Sequence, residues 1–269
     1  RVYKMIDKSQ IAIVTTVASF KIYSKTANLF PQGIDKIVID GTTGFYGLNS
    51  INFMFKKLKN KQYKWIIMAD EDVFFYNANL VFDLIEYMHC NNFDICGIRD
   101  GGMIQHRFHN PESINTFFSI INFAKIASFY DFSEVKQCQA IFPKLYSLEN
   151  YLKFSYDYSV DSLKEPYYCF YFWAHLNHFK FLYLDTINPV GDDMVGNIIL
   201  DPFGNKIGFH SWYARAYEVY EDQTIRINRF LKEFNIDNAV VDWKEIKVYR
   251  IPFYNWKKRF VKFVKKIKN

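Results

Sequence analysis

Cysteine is scarce in this chain of 269 residues: Cys90, Cys96, Cys138 and Cys169 are the only four, and none forms a CxxC pair. That excludes a disulfide-stapled scaffold and sets reduced thiols in a cytoplasmic protein as the expectation. Glycine is low as well, at 11 residues, which argues against glycine-rich phosphate loops, and no internal repeat is visible. The longest apolar stretches, Tyr167 to Leu176 and Phe117 to Tyr130, are too short or too interrupted to span a bilayer. Charged residues make up 23% against 50% hydrophobic, so disorder, collagen-like and coiled-coil architectures are excluded. A broad basic face is missing too. The formal charge is +6, but residues 257 to 269 (KKRFVKFVKKIKN) carry seven positive charges and no acid, which leaves −1 for everything else. No nucleic-acid partner is expected from such a balance. What the chain has in quantity is aromatic side chains, one residue in five.

Short β-branched runs alternate with helical patterns over the first hundred residues. Strands are expected at Ile11 to Val17, Lys36 to Asp40, Trp65 to Ala69 and Phe93 to Ile98. Between them, Leu48, Ile51, Phe55 and Leu58, and then Leu80, Leu84, Ile85 and Met88, recur at helical spacing, with Asn77 or Asn79 placed as a cap. That order predicts an α/β fold with a mostly parallel sheet of the Rossmann βαβ type and helices on both faces. Asn110-Pro111-Glu112 reads as a helix start leading into Ile114 to Phe129. Further on, the pattern predicts a helix from Glu165 to His175, strands at Phe179 to Leu184 and Lys206 to Phe209, and helices at Asp222 to Phe234 and Trp256 to Lys268. Residues 1 to 240 are expected to form one domain and 241 to 269 a basic, amphipathic C-terminal tail.

Open parallel sheets bind ligands beyond the carboxyl ends of their strands. The exits here are polar: Thr15 and Thr16 in the first strand, Asp40-Gly41 after the second, Asp70-Glu71-Asp72 after the third, Arg99-Asp100-Gly101-Gly102 after the fourth. Three adjacent acids released by an apolar strand cost several kcal/mol unless a cation sits among them. Oxygen ligands point to Mg2+ or Mn2+. Thr15 and Thr16 can offer hydroxyls or amides to a nucleotide base, and Asp40 can accept from a ribose hydroxyl.

An apolar strand ending in a DxD-type triplet, Asp70-Glu71-Asp72, about 55 residues after IAIVTTV, resembles the GT-A fold of nucleotide-sugar glycosyltransferases, of the kind that builds bacterial cell-surface polysaccharide. The likeness covers roughly residues 9 to 230. It implies that Asp70 and Asp72 hold the metal that bridges the donor diphosphate, and that His210, in GFHSWYAR, adds a ligand, with Arg215 of the same segment at the donor. The element beginning Lys164-Glu165-Pro166 and followed by KFLYLD looks like the acceptor side of inverting members, which makes Glu165 the catalytic base. The implied partners are a nucleotide sugar, taken as a UDP-sugar, and a glycan or lipid-linked acceptor. The chain departs from the family pattern in having Glu165-Pro166 where Glu-Asp is familiar, and in lacking a QxxRW motif.

Other readings compete. Asp161, Asp192 and Asp193 are rival bases, and Glu165 could be only a helix-start acid. The pairs His106 with His109 and His175 with His178 have zinc-like spacing, yet no cysteine pair completes either set. A nucleotidyltransferase shares the βαβ start, but would carry a glycine-rich, Lys/Arg-bearing loop after the first strand. A binding module without enzymatic activity is the third class. In the tail, Phe260, Val261, Phe263, Val264 and Ile267 follow helical spacing among lysines, which describes either a helix lying on an anionic membrane, with the protein peripheral to its cytoplasmic face, or a helix docked on the domain with its lysines in water.

Overall fold

The computed structural model describes residues 6 to 145 and 154 to 260. Its strands and helices are, in chain order, β1 (Ile11–Val17), α1 (Phe20–Thr26), β2 (Asp35–Asp40), α2 (Leu48–Leu58), β3 (Trp65–Ala69), β4 (Val73–Phe75), α3 (Leu80–Cys90), β5 (Ile95–Arg99), β6 (Ile114–Asn122), α4 (Phe123–Phe129) and α5 (Phe132–Leu145). After these come α6 (Tyr168–Leu176), β7 (Phe181–Tyr183), β8 (Thr186–Ile187), β9 (Asn197–Leu200), β10 (Lys206–His210), α7 (Glu221–Glu233) and β11 (Ile246–Tyr249).

The fold is α/β, as expected. A seven-stranded sheet runs in the order β11-β2-β1-β3-β6-β5-β7, and every pairing is parallel except the two made by β6. Successive side chains of a strand go to opposite faces. Ala12 and Val14 of β1 and Ile66 and Met68 of β3 therefore pack with α2, α4 and α6, whereas Ile11, Ile13, Trp65 and Ile67 pack with Tyr23 of α1 and with Val81, Leu84 and Met88 of α3. A second, antiparallel sheet, β4-β10-β9-β8, rests on Ile227, Phe230 and Leu231 of α7 through Phe74, Ile198 and Phe209.

Three regions differ from the sequence reading. Ile114 to Asn122 is strand β6 and not the first part of a helix; only Phe123–Phe129 is helical. The run INTFFSIIN is buried on both faces between β3 and β5, so it has no polar face whose period could separate strand from helix. Its supposed helix cap is an Asx turn, with Asn110 Oδ1 accepting from the Glu112 amide at 2.9 Å. The second sheet was not expected, because β4 has three residues and β8 two, too few to carry a pattern. Finally, β11 lies within the segment assigned to the tail, yet it pairs in parallel with β2 and forms an edge of the main sheet. Residues 254 to 260 are helical; Val261, Phe263, Val264 and Ile267, and the rest of 261 to 269, lie outside the described residues.

Candidate active site

The exits of β1 and β3 open into a cleft of about 800 Å³, whose other walls come from the start of α2, the turn before α6 and the segment after β10. Asp70 and Asp72 meet His210 there. One potential ligand atom from each of the three lies within 4.8 Å of the others, and His210 Nε2 is 3.2 Å from Asp72 Oδ1. His210 is delivered by β10, which pairs with β4 directly after the acidic triplet, His210 opposite Val73. Its ring is fixed by stacking on Phe117, with centroids 4.2 Å apart, and by Trp212 at 4.4 Å. Its Nδ1 is buried without a hydrogen-bond partner.

The three consecutive acids have separate tasks. Asp70 is pushed well above the usual carboxylate range, by desolvation first and then by the charges of Glu71 and Asp72. Burial also opposes the charge of Asp72, but the facing His210, together with the backbone amides of Asp72 and Ala214, holds that carboxyl low. Glu71 points away from the pair: its Oε1 accepts from the amides of Ala18 and Ser19, at 2.8 and 2.7 Å, where α1 begins. Burial and then Asp72 push Glu71 up to about 7, against the two amides that favour its charged form. The middle residue of the triplet thus ties the β3 exit to the β1 exit, and the outer two remain for a ligand.

The other expected residues divide. Thr16 lines the cleft and hydrogen-bonds to Ser50 on α2. Thr15 does not line it; its side chain follows Ile11 and Ile13 to the opposite face and is buried there with its hydroxyl unpartnered. Asp40 also lies outside the cleft lining, because its carboxylate folds onto the Thr42 amide at 3.0 Å and the Thr42 hydroxyl, with Arg250 4.0 Å away. Arg215 lines the cleft, its guanidinium 4.3 Å from the centre of the Tyr46 ring, and it counteracts the rise in Asp70. It is returned to the cleft by Trp212 and Tyr213, two consecutive residues in left-handed backbone conformation, at φ 62° and 63°.

Glu165 lines the cleft, while its rivals do not. Asp193 is bound in a fork by Arg226 at 2.6 and 2.7 Å, Asp192 pairs with Arg229 at the surface, and Asp161 is exposed. Among the described residues, neither His106 with His109 nor His175 with His178 belongs to a set of three ligands.

Several cleft residues escaped the sequence reading. Arg107 lies 3.6 Å from Glu165 and is held by Asp100, whose two oxygens take its Nε and Nη2, each at 2.7 Å. The same buried carboxylate accepts from Asn115 Nδ2 at 2.6 Å, from the Tyr167 hydroxyl at 3.0 Å and from the Tyr168 hydroxyl. Burial first, and the Asp100 charge second, push both phenols up, so both stay donors. The start of α2 was missed as well. Gly47, at φ 59°, turns the chain so that the first residues of α2 line the cleft, where first-turn amides have no acceptor within the helix. The Gly44-Phe45-Tyr46-Gly47 spacing after β2 was the available signal.

No protein-family model and no curated protein matches the chain. Among solved structures it is similar to the mannosyltransferase PcManGT from Pyrobaculum calidifontis in complex with GDP-Man and Mn2+, at 8% identity and a TM-score of 0.36, over 60% of this chain and 57% of that one. It is also similar to a 4-diphosphocytidyl-2C-methyl-D-erythritol synthase from Anaerococcus prevotii, at 13% identity and a TM-score of 0.39, over 85% of this chain and 98% of that one. The chain therefore spans little more than half the length of the mannosyltransferase.

Proposed function

We propose that the chain is a metal-dependent glycosyltransferase that moves a sugar from a nucleoside-diphosphate sugar to the hydroxyl of a glycan or lipid-linked acceptor. The observation that carries this reading is the convergence of Asp70, Asp72 and His210 in one cleft with Glu165. The trio suits a divalent cation. Two adjacent carboxylates, one resisting ionisation, and a histidine with an orphaned buried nitrogen form a set that a cation relieves. The mixed oxygen and nitrogen donors favour Mn2+ over Mg2+, which prefers oxygen alone. A cation held there would neutralise the negative charge growing on the leaving diphosphate, a contribution of several kcal/mol.

The chain's own groups supply the rest. Arg215 and Lys258 bring positive charge to the cleft wall, and the α2 amides add partial positive charge for phosphate oxygens. Glu165 takes the proton from the acceptor hydroxyl as its oxygen attacks the anomeric carbon and the bond to the diphosphate breaks. Arg107, anchored by Asp100, keeps the Glu165 carboxylate in place. General bases of this kind contribute about 100- to 10,000-fold. Glu165→Gln is accordingly expected to lower turnover by at least about 100-fold with donor affinity unchanged. Retention of a tenth of the activity would remove Glu165 as the base.

The nucleotidyltransferase alternative needs the loop after β1 for phosphates. Here the Ala18 and Ser19 amides of that loop are already taken by Glu71, and Lys21 pairs with Glu218. The deciding experiment is a thermal-shift panel of nucleoside diphosphates and nucleotide sugars with and without Mn2+. A ligand that binds only the folded chain raises its melting temperature, by about 2.7 kcal/mol of stability at a hundredfold excess over Kd. Mn2+ alone is expected to give a rise, and a diphosphate to add to it only where the metal is also present. Absence of any rise across the panel would defeat the reading.

A further inference from the structure

Among the described residues no helix is long and apolar enough to cross a membrane. The helical segment 254 to 260 nevertheless has a surface without a partner among the described residues. Its start is fixed to the cleft rim: the Tyr254 ring meets Phe45 edge-on at 4.9 Å, and the Tyr254 hydroxyl accepts from Asn49 Nδ2 at 3.0 Å. Asn49 and Lys258 both line the cleft. Past this anchor the large side chains turn to solvent, Phe253 being 78% exposed, Trp256 67% and Phe260 53%. A spacing of four residues places Trp256 and Phe260 on one side of the helix, their rings stacked with centroids 5.7 Å apart, and Phe253 directly precedes the helix. Clustered aromatics on a helix that the body does not cover call for an apolar partner.

The charge says which partner. Lys257 and Arg259 lie between the aromatics in the chain while Lys258 lines the cleft, and residues 257 to 269 hold seven positive charges and no acid, against −1 for the rest of the chain. The same apolar spacing continues in the sequence through Phe263, Val264 and Ile267, outside the described residues. A protein groove would match the aromatics but give no reason for so dense a block of one sign. An anionic lipid surface matches both: aromatic side chains settle at the headgroup boundary, and each lysine or arginine near it strengthens binding about fivefold.

We propose that Phe253, Trp256 and Phe260, with the cations between and beyond them, form a docking surface for anionic lipid. The Tyr254 anchor then sets the geometry. Because the docking helix is joined to the rim of the cleft, binding brings the cleft mouth to the headgroups, where an acceptor carried on lipid reaches Glu165 without leaving the membrane. That consequence rests on the transferase reading; the docking does not.

The test is sedimentation of the full chain with vesicles of phosphatidylcholine alone and of phosphatidylcholine mixed with phosphatidylglycerol, for the wild type and for Trp256→Glu combined with Phe260→Glu. Both side chains are exposed, so the two proteins should melt at the same temperature. The wild type should bind the mixed vesicles at least about tenfold more strongly than the neutral ones, and molar salt should weaken that binding. The double variant should lose it. Equal binding of the wild type to both vesicle types would overturn the proposal, as would undiminished binding by the double variant.

Discussion

Asp72→Asn is expected to abolish the Mn2+-dependent rise in melting temperature and to lower sugar transfer by about a thousandfold or more, which corresponds to the several kcal/mol that a metal contributes to such a step. The substitution keeps the size of the side chain and removes one of the three groups that, among the described residues, are placed to hold the ion. The chelator-treated protein should stay folded, since the loss of the Asp72 to His210 contact at 3.2 Å is offset by relief of repulsion with Asp70 and Glu71. Asp70→Asn makes the complementary case. Asp70 resists ionisation because of desolvation and its two acidic neighbours, so its replacement should stabilise the metal-free chain while removing the Mn2+ response. Calorimetric melting with Mn2+ and with chelator separates the two effects. An Asp72→Asn protein that still responds to Mn2+ would show that the trio is an internal hydrogen-bonded cluster and no metal site.

The second large effect belongs to Asp100. This fully buried carboxylate accepts from Arg107, Asn115, Tyr167 and Tyr168 together. Asp100→Ala leaves the Arg107 guanidinium, itself only 15% exposed, without its hydrogen-bonded counter-charge, with Glu165 remaining at 3.6 Å, and strands the other donors. Removing one partner of a buried pair costs about 3 to 5 kcal/mol. Urea denaturation should show a loss of that size, and the combined change Asp100→Ala with Arg107→Leu should recover part of it, because no buried charge is then left alone. The turnover of the single variant should also fall, since Arg107 no longer holds Glu165. A loss below about 1 kcal/mol would mean that water replaces the carboxylate and that the network is not what positions Arg107.

How far these groups could be read from the sequence depended on distance along the chain. The strand exits were legible because local patterns determine them: WIIMA is apolar throughout, and the acids follow directly. The same pattern carried more than was drawn from it. The alternation that buries Ile11 and Ile13 on one face and Ala12 and Val14 on the other already separates Thr16, which lines the cleft, from Thr15, which does not. Asp40 lies outside the cleft lining for a reason equally local. An aspartate two residues before a threonine closes an Asx turn on itself, and its carboxylate is then engaged at the surface. The run Ile114 to Asn122 was different in kind, since a segment buried on both faces has no amphipathic period to betray whether it is helix or strand.

By itself the sequence determined the α/β class, the acidic exit of β3 and the segments that hold His210 and Glu165, because hydrophobic periodicity and residue type are short-range properties. Only the tertiary structure decided that Asp72 and His210, 138 residues apart, face each other at 3.2 Å, that Glu71 turns away to the Ala18 and Ser19 amides, and that Asp100 holds Arg107 3.6 Å from Glu165. Those pairings arise from the antiparallel register of β10 on β4 and from the burial of a carboxylate among four donors. Register and burial are set by how distant segments pack, and no local window of the chain contains them.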